Sequence, residues 1–357
     1  MPMSAKSASL AEVLDSLTAE GAPELTEHLA GNTLRCYACG HRCLINEGKR
    51  GICKVRYNEG GHLMVPTNYV AALQCDPTEK KPFFHALPGS DTLTFGMLGC
   101  DLHCAYCQNF LTSQALRDDA AGVAPRRVTA EKLVSLAHAY GASLVGTSYN
   151  EPLITAEWAI DVFRLAKPAG FKTAFISNGN ATPQVLDYIR PWTDCYKIDL
   201  KSMSDRNYRQ LGGVVDNILE TIKMVHERGF WEEIVTLVIP GFNDSDDELR
   251  RAADFIAEVS PDIPWHVTAF HQDYKMTENA NTTAEQLIRA CEIGREAGLR
   301  YIYAGNLPGR VGRWENTYCP ACDELLIERY GYIIRQMKVT RQGKCPKCAT
   351  AIPGVWG

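Results

Sequence analysis

The sequence predicts an α/β fold. Repeated β-α units form a barrel or an open, partial barrel, with a small cysteine-rich appendage at each end. Three observations carry this reading. Apolar, β-rich runs alternate with helix-like periodicities through the middle of the chain. Polar residues stand just after each run. Fourteen cysteines fall into three clusters and three loners.

The strand runs are 92–98, 143–149, 172–176, 195–200, 234–239 and 265–270, with a weaker seventh at 301–304. Between the first and second, Leu133, Leu136, Ala137 and Tyr140 share one helix face. Between the second and third, Ala159, Val162, Phe163 and Ala166 do the same. Capping boxes mark two later helices, Ser245 with Glu248 and Thr283 with Gln286. Repeated β-α units imply a parallel sheet with helices outside. The pattern alone also admits a doubly wound sheet. The expected division is a cysteine-rich region at 1–89, the β-α region at 90–314, and a zinc-ribbon-like or rubredoxin-like tail at 315–357 with a hairpin at 325–339.

Composition narrows the class. A hydrophobic share of 45% with 22% charged residues suits a globular protein. The net charge of -5 gives no support to a nucleic-acid binder held by bulk electrostatics. No apolar run is long enough to span a bilayer. The opening MPMSAKSASLAEVLDSL lacks the apolar core of a signal peptide and reads as a short amphipathic helix. The cytoplasm is the expected compartment.

Chemistry-bearing residues gather at strand ends. The cysteine triad follows the first strand. Asn150 and Glu151 follow the second, Ser177 and Asn178 the third, and Asp199 and Lys201 end the fourth. Pro240, Gly241, Asn243 and Asp244 follow the fifth, His271 the sixth and Asn306 the seventh. In a barrel, that rim holds the active site.

In a reducing compartment clustered cysteines read as metal ligands rather than disulfides. Cys319, Cys322, Cys345 and Cys348 form two C-x2-C knuckles, the arrangement of a closed tetrahedral zinc site; a rubredoxin-type iron would use similar knuckles. Cys36, Cys39, Cys43 and Cys53 are a second quartet, for which zinc is preferred and a cubane cluster also fits. Cys75, Cys195 and Cys291 are expected to be small buried apolar residues. The triad Cys100, Cys104 and Cys107 is spaced C-x3-C-x2-C. Three thiolates hold three corners of a four-iron cube and leave the fourth iron open to a non-protein ligand. A zinc ion completed by a distant Cys or His is the alternative.

This motif resembles that of the radical S-adenosylmethionine superfamily, with Tyr106 before the third cysteine as part of the likeness. The run Ile198-Asp199-Leu200-Lys201, the segment Ile176-Ser177-Asn178-Gly179 and the stretch 238–244 are similar to the glycyl-radical-activating branch, typified by pyruvate formate-lyase-activating enzyme. That branch's Gly-Gly-Glu stretch is replaced here by Ser148-Tyr149-Asn150-Glu151-Pro152, which keeps the glutamate. The 36–53 cluster, Glu79-Lys80-Lys81-Pro82 and the closing GKCPKCATAIPGVW resemble the AmmeMemoRadiSam-system radical enzymes over nearly the whole chain.

The resemblance implies a partial (β/α)6 TIM-like barrel, a [4Fe-4S] cluster on Cys100, Cys104 and Cys107, and S-adenosylmethionine. It places Tyr106 near the adenine, Glu151 on the cofactor's ammonium, Ser177 and Asn178 on ribose or carboxylate, and Asp199 and Lys201 on the methionyl end. It implies an oxidoreductase that makes a 5′-deoxyadenosyl radical and abstracts hydrogen, with glycyl-radical activation as the specific expectation. A low-potential ferredoxin or flavodoxin would be the electron donor. Radical modification of RNA, protein or a small metabolite is the alternative within the class. Outside it stands a metal-bearing scaffold or electron carrier without turnover.

Overall fold

All seven apolar runs form strands in the structure, a computed structural model that describes residues 9–356. The strands are β2 Asp91–Gly96, β3 Leu144–Thr147, β4 Lys172–Ser177, β5 Cys195–Asp199, β6 Trp231–Val238, β7 Trp265–Ala269 and β8 Ile302–Gly305. Each is parallel to the next. An unforeseen strand, β1 Ala72–Pro77, adds antiparallel to β2 at the edge. It escapes sequence reading because it is half exposed and carries no clean alternation. The main sheet thus begins before residue 90. Its linear order runs from β1 to β8, so the two edge strands are not paired with each other.

The parallel strands follow one another in chain order. A doubly wound sheet reverses its strand order midway, so that alternative is excluded. With right-handed crossovers, an unreversed order keeps every connecting helix on one side of the sheet. The result is an α/β fold with a mostly parallel sheet, consistent with a partial barrel. The connecting helices are α1 Ala130–Ala139, α2 Ala156–Ala166, α3 Pro183–Ile189, α4 Val215–Glu227, α5 Asp246–Val259 and α6 Ala284–Glu296.

Alternation along the strands sorts their two faces. Tyr196 and Ile198 of β5 join the large apolar cluster with Phe95, Phe163 and Phe175. The neighbouring Lys197 and Asp199 face a cavity instead. Thr283 and Gln286 form the reciprocal capping box of α6. At α5 only half of the expected box exists. Ser245 caps the Glu248 amide, but the Glu248 carboxylate accepts from the Ser202 hydroxyl and the Met203 amide.

The flanks are small antiparallel units. Thr18–Glu20, His62–Pro66 and Tyr57–Glu59 pair, as do Thr26–Leu29, Thr33–Cys36 and Leu44–Ile45. A helix at Leu10–Asp15 covers the described part of the expected N-terminal helix; residues 1–8 lie outside the described chain. The tail strands are β9 Thr317–Tyr318, β10 Leu325–Tyr330 and β11 Ile333–Met337, the last two being the expected hairpin. The tail packs Cys319, Leu326, Ile327 and Cys345 onto Tyr301, Tyr303 and Phe84. Among the described residues no helix is long and apolar enough to cross a membrane.

Candidate active site

Parallel pairing brings the C-terminal ends of β2 to β8 to one rim. There Cys100, Cys104, Cys107, Asn178, Glu151, Asp199 and Lys201 line a cavity of about 160 Å³. A second cavity of about 400 Å³ shares Cys104, Cys107, Lys197, Asp199 and Lys201 with it and adds Tyr106, Asp76, Glu79 and Lys81. Among the described residues, the smaller cavity is lined by three cysteines, with neither a fourth cysteine nor a histidine.

Burial dominates the electrostatics of the triad. It pushes the Cys100 thiol well above its ordinary value, with Asp101 and Glu151 adding to the effect, and pushes Cys104 up to about 11. Thiolates there need a cationic partner such as a metal centre.

Glu151 is 2% exposed. Its Oε1 accepts from the Ser177 hydroxyl at 2.7 Å and the Leu153 amide at 3.1 Å, and its Oε2 accepts from the Asn178 amide at 2.7 Å. It therefore caps the short 3-10 turn Pro152–Thr155 while it also lines the cavity. Burial, then the nearby Asp101, raises its pKa to about 8. A bound cation would relieve both effects. Ser177 is buried behind Glu151 and is not on the wall of either cavity. Gly179 follows at φ +79°, and a Cβ there would lie 2.6 Å from the Ile198 side chain. Glycine is required for the Asn178 turn to reach the cavity.

Three alternating residues of β5 and its end form one charged row. Asp199 lies between Lys197 and Lys201, with Lys201 Nζ donating to Asp199 Oδ2 at 3.4 Å. For Asp199, burial favours the neutral acid, but the two lysines outweigh it and lower its pKa. For Lys201, burial opposes the charge, but Asp199 and Cys104 hold its pKa well above ordinary. Asn243 fixes this loop by donating from Nδ2 to the Lys201 carbonyl at 2.8 Å.

Other expected residues divide. Tyr106 lines the larger cavity and packs edge-on to Phe242, with ring centroids 6.0 Å apart. Asn306 also lines the larger cavity. His271 is exposed beside Gln108. Sequence reading missed Lys197, although its spacing of two from Asp199 was a usable signal. It also missed Asp101 and Asn180. Asp101, fully buried, accepts from Asn178 Nδ2 at 2.7 Å and Asn180 Nδ2 at 2.8 Å.

The tail quartet is drawn together. Cys319 and Cys348 sulfurs are 3.5 Å apart, Cys322 and Cys345 sulfurs 3.7 Å, and all four lie within 4.8 Å of one another. A tetrahedron of roughly 2.3 Å metal–sulfur bonds has sulfurs about 3.8 Å apart, so the group could hold one metal ion. Among the described residues it is the only set of three or more His, Cys, Asp or Glu so closely gathered.

Residues 95–256 match the sequence profile of the radical SAM superfamily. An uncharacterized protein of Methanocaldococcus jannaschii is 35% identical over 329 residues, covering 91% of this chain and 97% of that one. Pyruvate formate-lyase 1-activating enzyme of Escherichia coli K12 is 30% identical over 205 residues, covering 54% of this chain and 80% of that one. The chain belongs to the radical SAM superfamily. It is related to pyruvate formate-lyase-activating enzymes. Isethionate sulfite-lyase activating enzyme of Oleidesulfovibrio alaskensis is similar too, at 24% over 247 residues, 67% of this chain and 76% of that one.

Membership in the radical SAM superfamily implies a [4Fe-4S] cluster and S-adenosylmethionine. The residues of this radical SAM enzyme fit both. Three thiols, buried at Cys104 and half-buried at Cys100 and Cys107, share one cavity without a fourth Cys or His among its described lining residues, and the three sulfurs do not draw within the span of a single ion. Beside them a buried carboxylate, Glu151, has only N–H and O–H donors and no cation as hydrogen-bond partner.

Proposed function

We propose that this enzyme reductively cleaves S-adenosylmethionine and abstracts hydrogen from a protein substrate, a glycyl residue being the specific target. The single observation that carries this is the cysteine triad sharing one cavity with Glu151, Asn178 and the Lys197-Asp199-Lys201 row. When bound, the cluster and the sulfonium cofactor supply a 5′-deoxyadenosyl radical that takes a hydrogen atom from a C–H bond.

The chain's own residues bind and orient. Cys100, Cys104 and Cys107 hold three irons and leave one for the cofactor. Glu151 neutralises the cofactor's ammonium, and Ser177 keeps that carboxylate in place. Asn178, whose Nδ2 already gives one hydrogen to Asp101, offers the other to ribose or carboxylate. Lys201 pairs with the cofactor carboxylate, and Asp199 contacts the methionyl end while holding both lysines. Tyr106 packs against the adenine. Zinc occupies the tail quartet and clamps the tail.

A protein substrate is favoured by the groove outside. A cavity of about 510 Å³, lined by Leu307, Pro308, Tyr330, Tyr332 and Ile333, shares Phe84, Gln108, Gly305, Asn306 and Tyr332 with the 400 Å³ cavity. An extended, partly apolar peptide segment could run along this path toward the triad. Such a segment would also exclude water from the radical. A low-potential ferredoxin or flavodoxin delivers the electron.

The test is anaerobic reconstitution, then dithionite and S-adenosylmethionine. 5′-Deoxyadenosine is expected, and its absence from fully loaded protein would sink the reading. With a candidate protein bearing deuterated glycine, deuterium in 5′-deoxyadenosine identifies the hydrogen donor. Transfer only from deuterated RNA or a small metabolite would replace the glycyl target.

A further inference from the structure

The two cysteine quartets differ in geometry, and the difference has a chemical meaning. The tail sulfurs all lie within 4.8 Å of one another. No three of Cys36, Cys39, Cys43 and Cys53 do so, although all four are described. One ion needs its four sulfurs drawn close. In an iron–sulfur cluster the thiolates are shared out among several irons and stand further apart.

A second observation points to an anionic group among these sulfurs. Arg56 is 1% exposed. Its terminal nitrogens pair with Glu157 at 2.7 and 2.8 Å, yet its buried Nε has no partner. Cys36 and Cys53 lie within its electrostatic reach. An orphaned donor beside the quartet calls for an acceptor such as a cluster sulfur.

The third observation is contact with the triad loop. Arg117 donates to the carbonyl of Leu102, within the triad, and to the carbonyl of Ile52, next to Cys53, both at 2.6 Å. A His41 ring nitrogen lies 3.1 Å from the Asp101 carbonyl, and the Gly40 amide donates to the Asn180 carbonyl at 2.8 Å. Gly99 adopts φ +93°, and a Cβ there would lie 3.0 Å from the Cys53 carbonyl oxygen. The Val55 side chain packs at the same point, 2.8 Å from that Cβ position, so the segment that carries Cys53 lies directly against the triad loop.

We propose that Cys36, Cys39, Cys43 and Cys53 hold a second, polynuclear iron–sulfur cluster that relays single electrons to the centre on Cys100, Cys104 and Cys107. The relay role rests on the function proposed above; the cluster does not. A low-potential one-electron protein donor reduces the outer cluster. That cluster is reoxidised as the triad centre gains the same electron. No bond forms or breaks in the transfer.

The experiment starts with the wild-type chain reconstituted anaerobically. Iron and acid-labile sulfide are expected in equal amounts, above what a single [4Fe-4S] cluster accounts for. In the triple variant Cys100→Ala, Cys104→Ala, Cys107→Ala, the remaining iron and sulfide persist and give a paramagnetic signal on reduction. Adding Cys36→Ala and Cys39→Ala abolishes that signal. Zinc without sulfide in the triple variant, together with wild-type iron for one cluster only, would overturn the proposal. In a Cys36→Ala, Cys39→Ala variant that retains its triad iron, loss of reduction by a protein donor supports the relay, and unchanged reduction removes it. If wild type makes no 5′-deoxyadenosine but the triple variant keeps its cluster, the enzymatic reading falls and the second cluster stands.

Discussion

Asn178 donates from Nδ2 to Asp101 Oδ1 at 2.7 Å, which joins the loop after β4 to the loop bearing the cysteine triad. Asn180 makes the matching bond to the other carboxylate oxygen at 2.8 Å. Replacing Asp101 with Ala strands two buried amide groups, each at about 1–3 kcal/mol. The Asp101→Ala chain should therefore unfold at lower urea and lose iron faster after reconstitution. An unchanged urea midpoint with normal iron retention would refute this.

Glu151→Gln removes the negative charge proposed to meet the cofactor's ammonium. It also points an amide group at existing donors, the Asn178 amide or the Ser177 hydroxyl. S-Adenosylmethionine affinity should fall by about tenfold or more, corresponding to about 1.4 kcal/mol. Equilibrium dialysis on reconstituted protein, normalised to iron, measures it. Ser177→Ala, which acts through Glu151 and the Gly179 amide rather than by direct contact, should cost less affinity. Equal affinity in wild type and Glu151→Gln would remove Glu151 from the cofactor site.

The tail depends on its metal. Cys319 and Cys345 are themselves part of the apolar cluster with Tyr303 and Phe84. Cys345→Ser should lose one metal ion per chain by elemental analysis and lower the thermal midpoint, because metal affinity is folding energy here. Zinc is the expected element. A chain that keeps its thermal midpoint without the metal would show that packing alone holds the tail.

His85 makes docking of the tail sensitive to pH. Its Nδ1 lies 2.7 Å from the Pro353 carbonyl, which only accepts, so Nδ1 carries the hydrogen. Its Nε2, 2.6 Å from the Tyr303 hydroxyl, then accepts from it. Burial lowers the His85 pKa from 6.5 to about 4. The folded state thus binds the proton less readily than the unfolded chain. Stability is fully present above about pH 6.5 and falls as pH drops toward 4, by about 3 kcal/mol over the whole shift. Denaturant unfolding at a series of pH values measures the slope. His85→Gln should lower baseline stability and flatten the part of the slope due to this ring. Equal slopes in variant and wild type would assign the acid sensitivity elsewhere.

Local pattern made much of this protein legible. The seven strands are apolar runs bounded by turns, and the triad and tail quartet are short spacings, so both could be read without knowing the fold. The Ser245 box misled because Glu248 found better partners in Ser202 and Met203, more than forty residues away. The half-exposed edge strand β1 left no periodic signal. Asp101 looked like a spacer between ligands, because its partners come from a loop 77 and 79 residues further on.

The amino-acid order by itself determined which donors exist, where they cluster along the chain and which strands carry them. Only the tertiary structure decided that β2 to β5 end at one rim, that Lys197 faces the cavity, and that Cys53 lies against Gly99. The reason is physical. Spacing along the chain sets local geometry, but distances between distant segments follow from strand register and from which buried polar groups find partners.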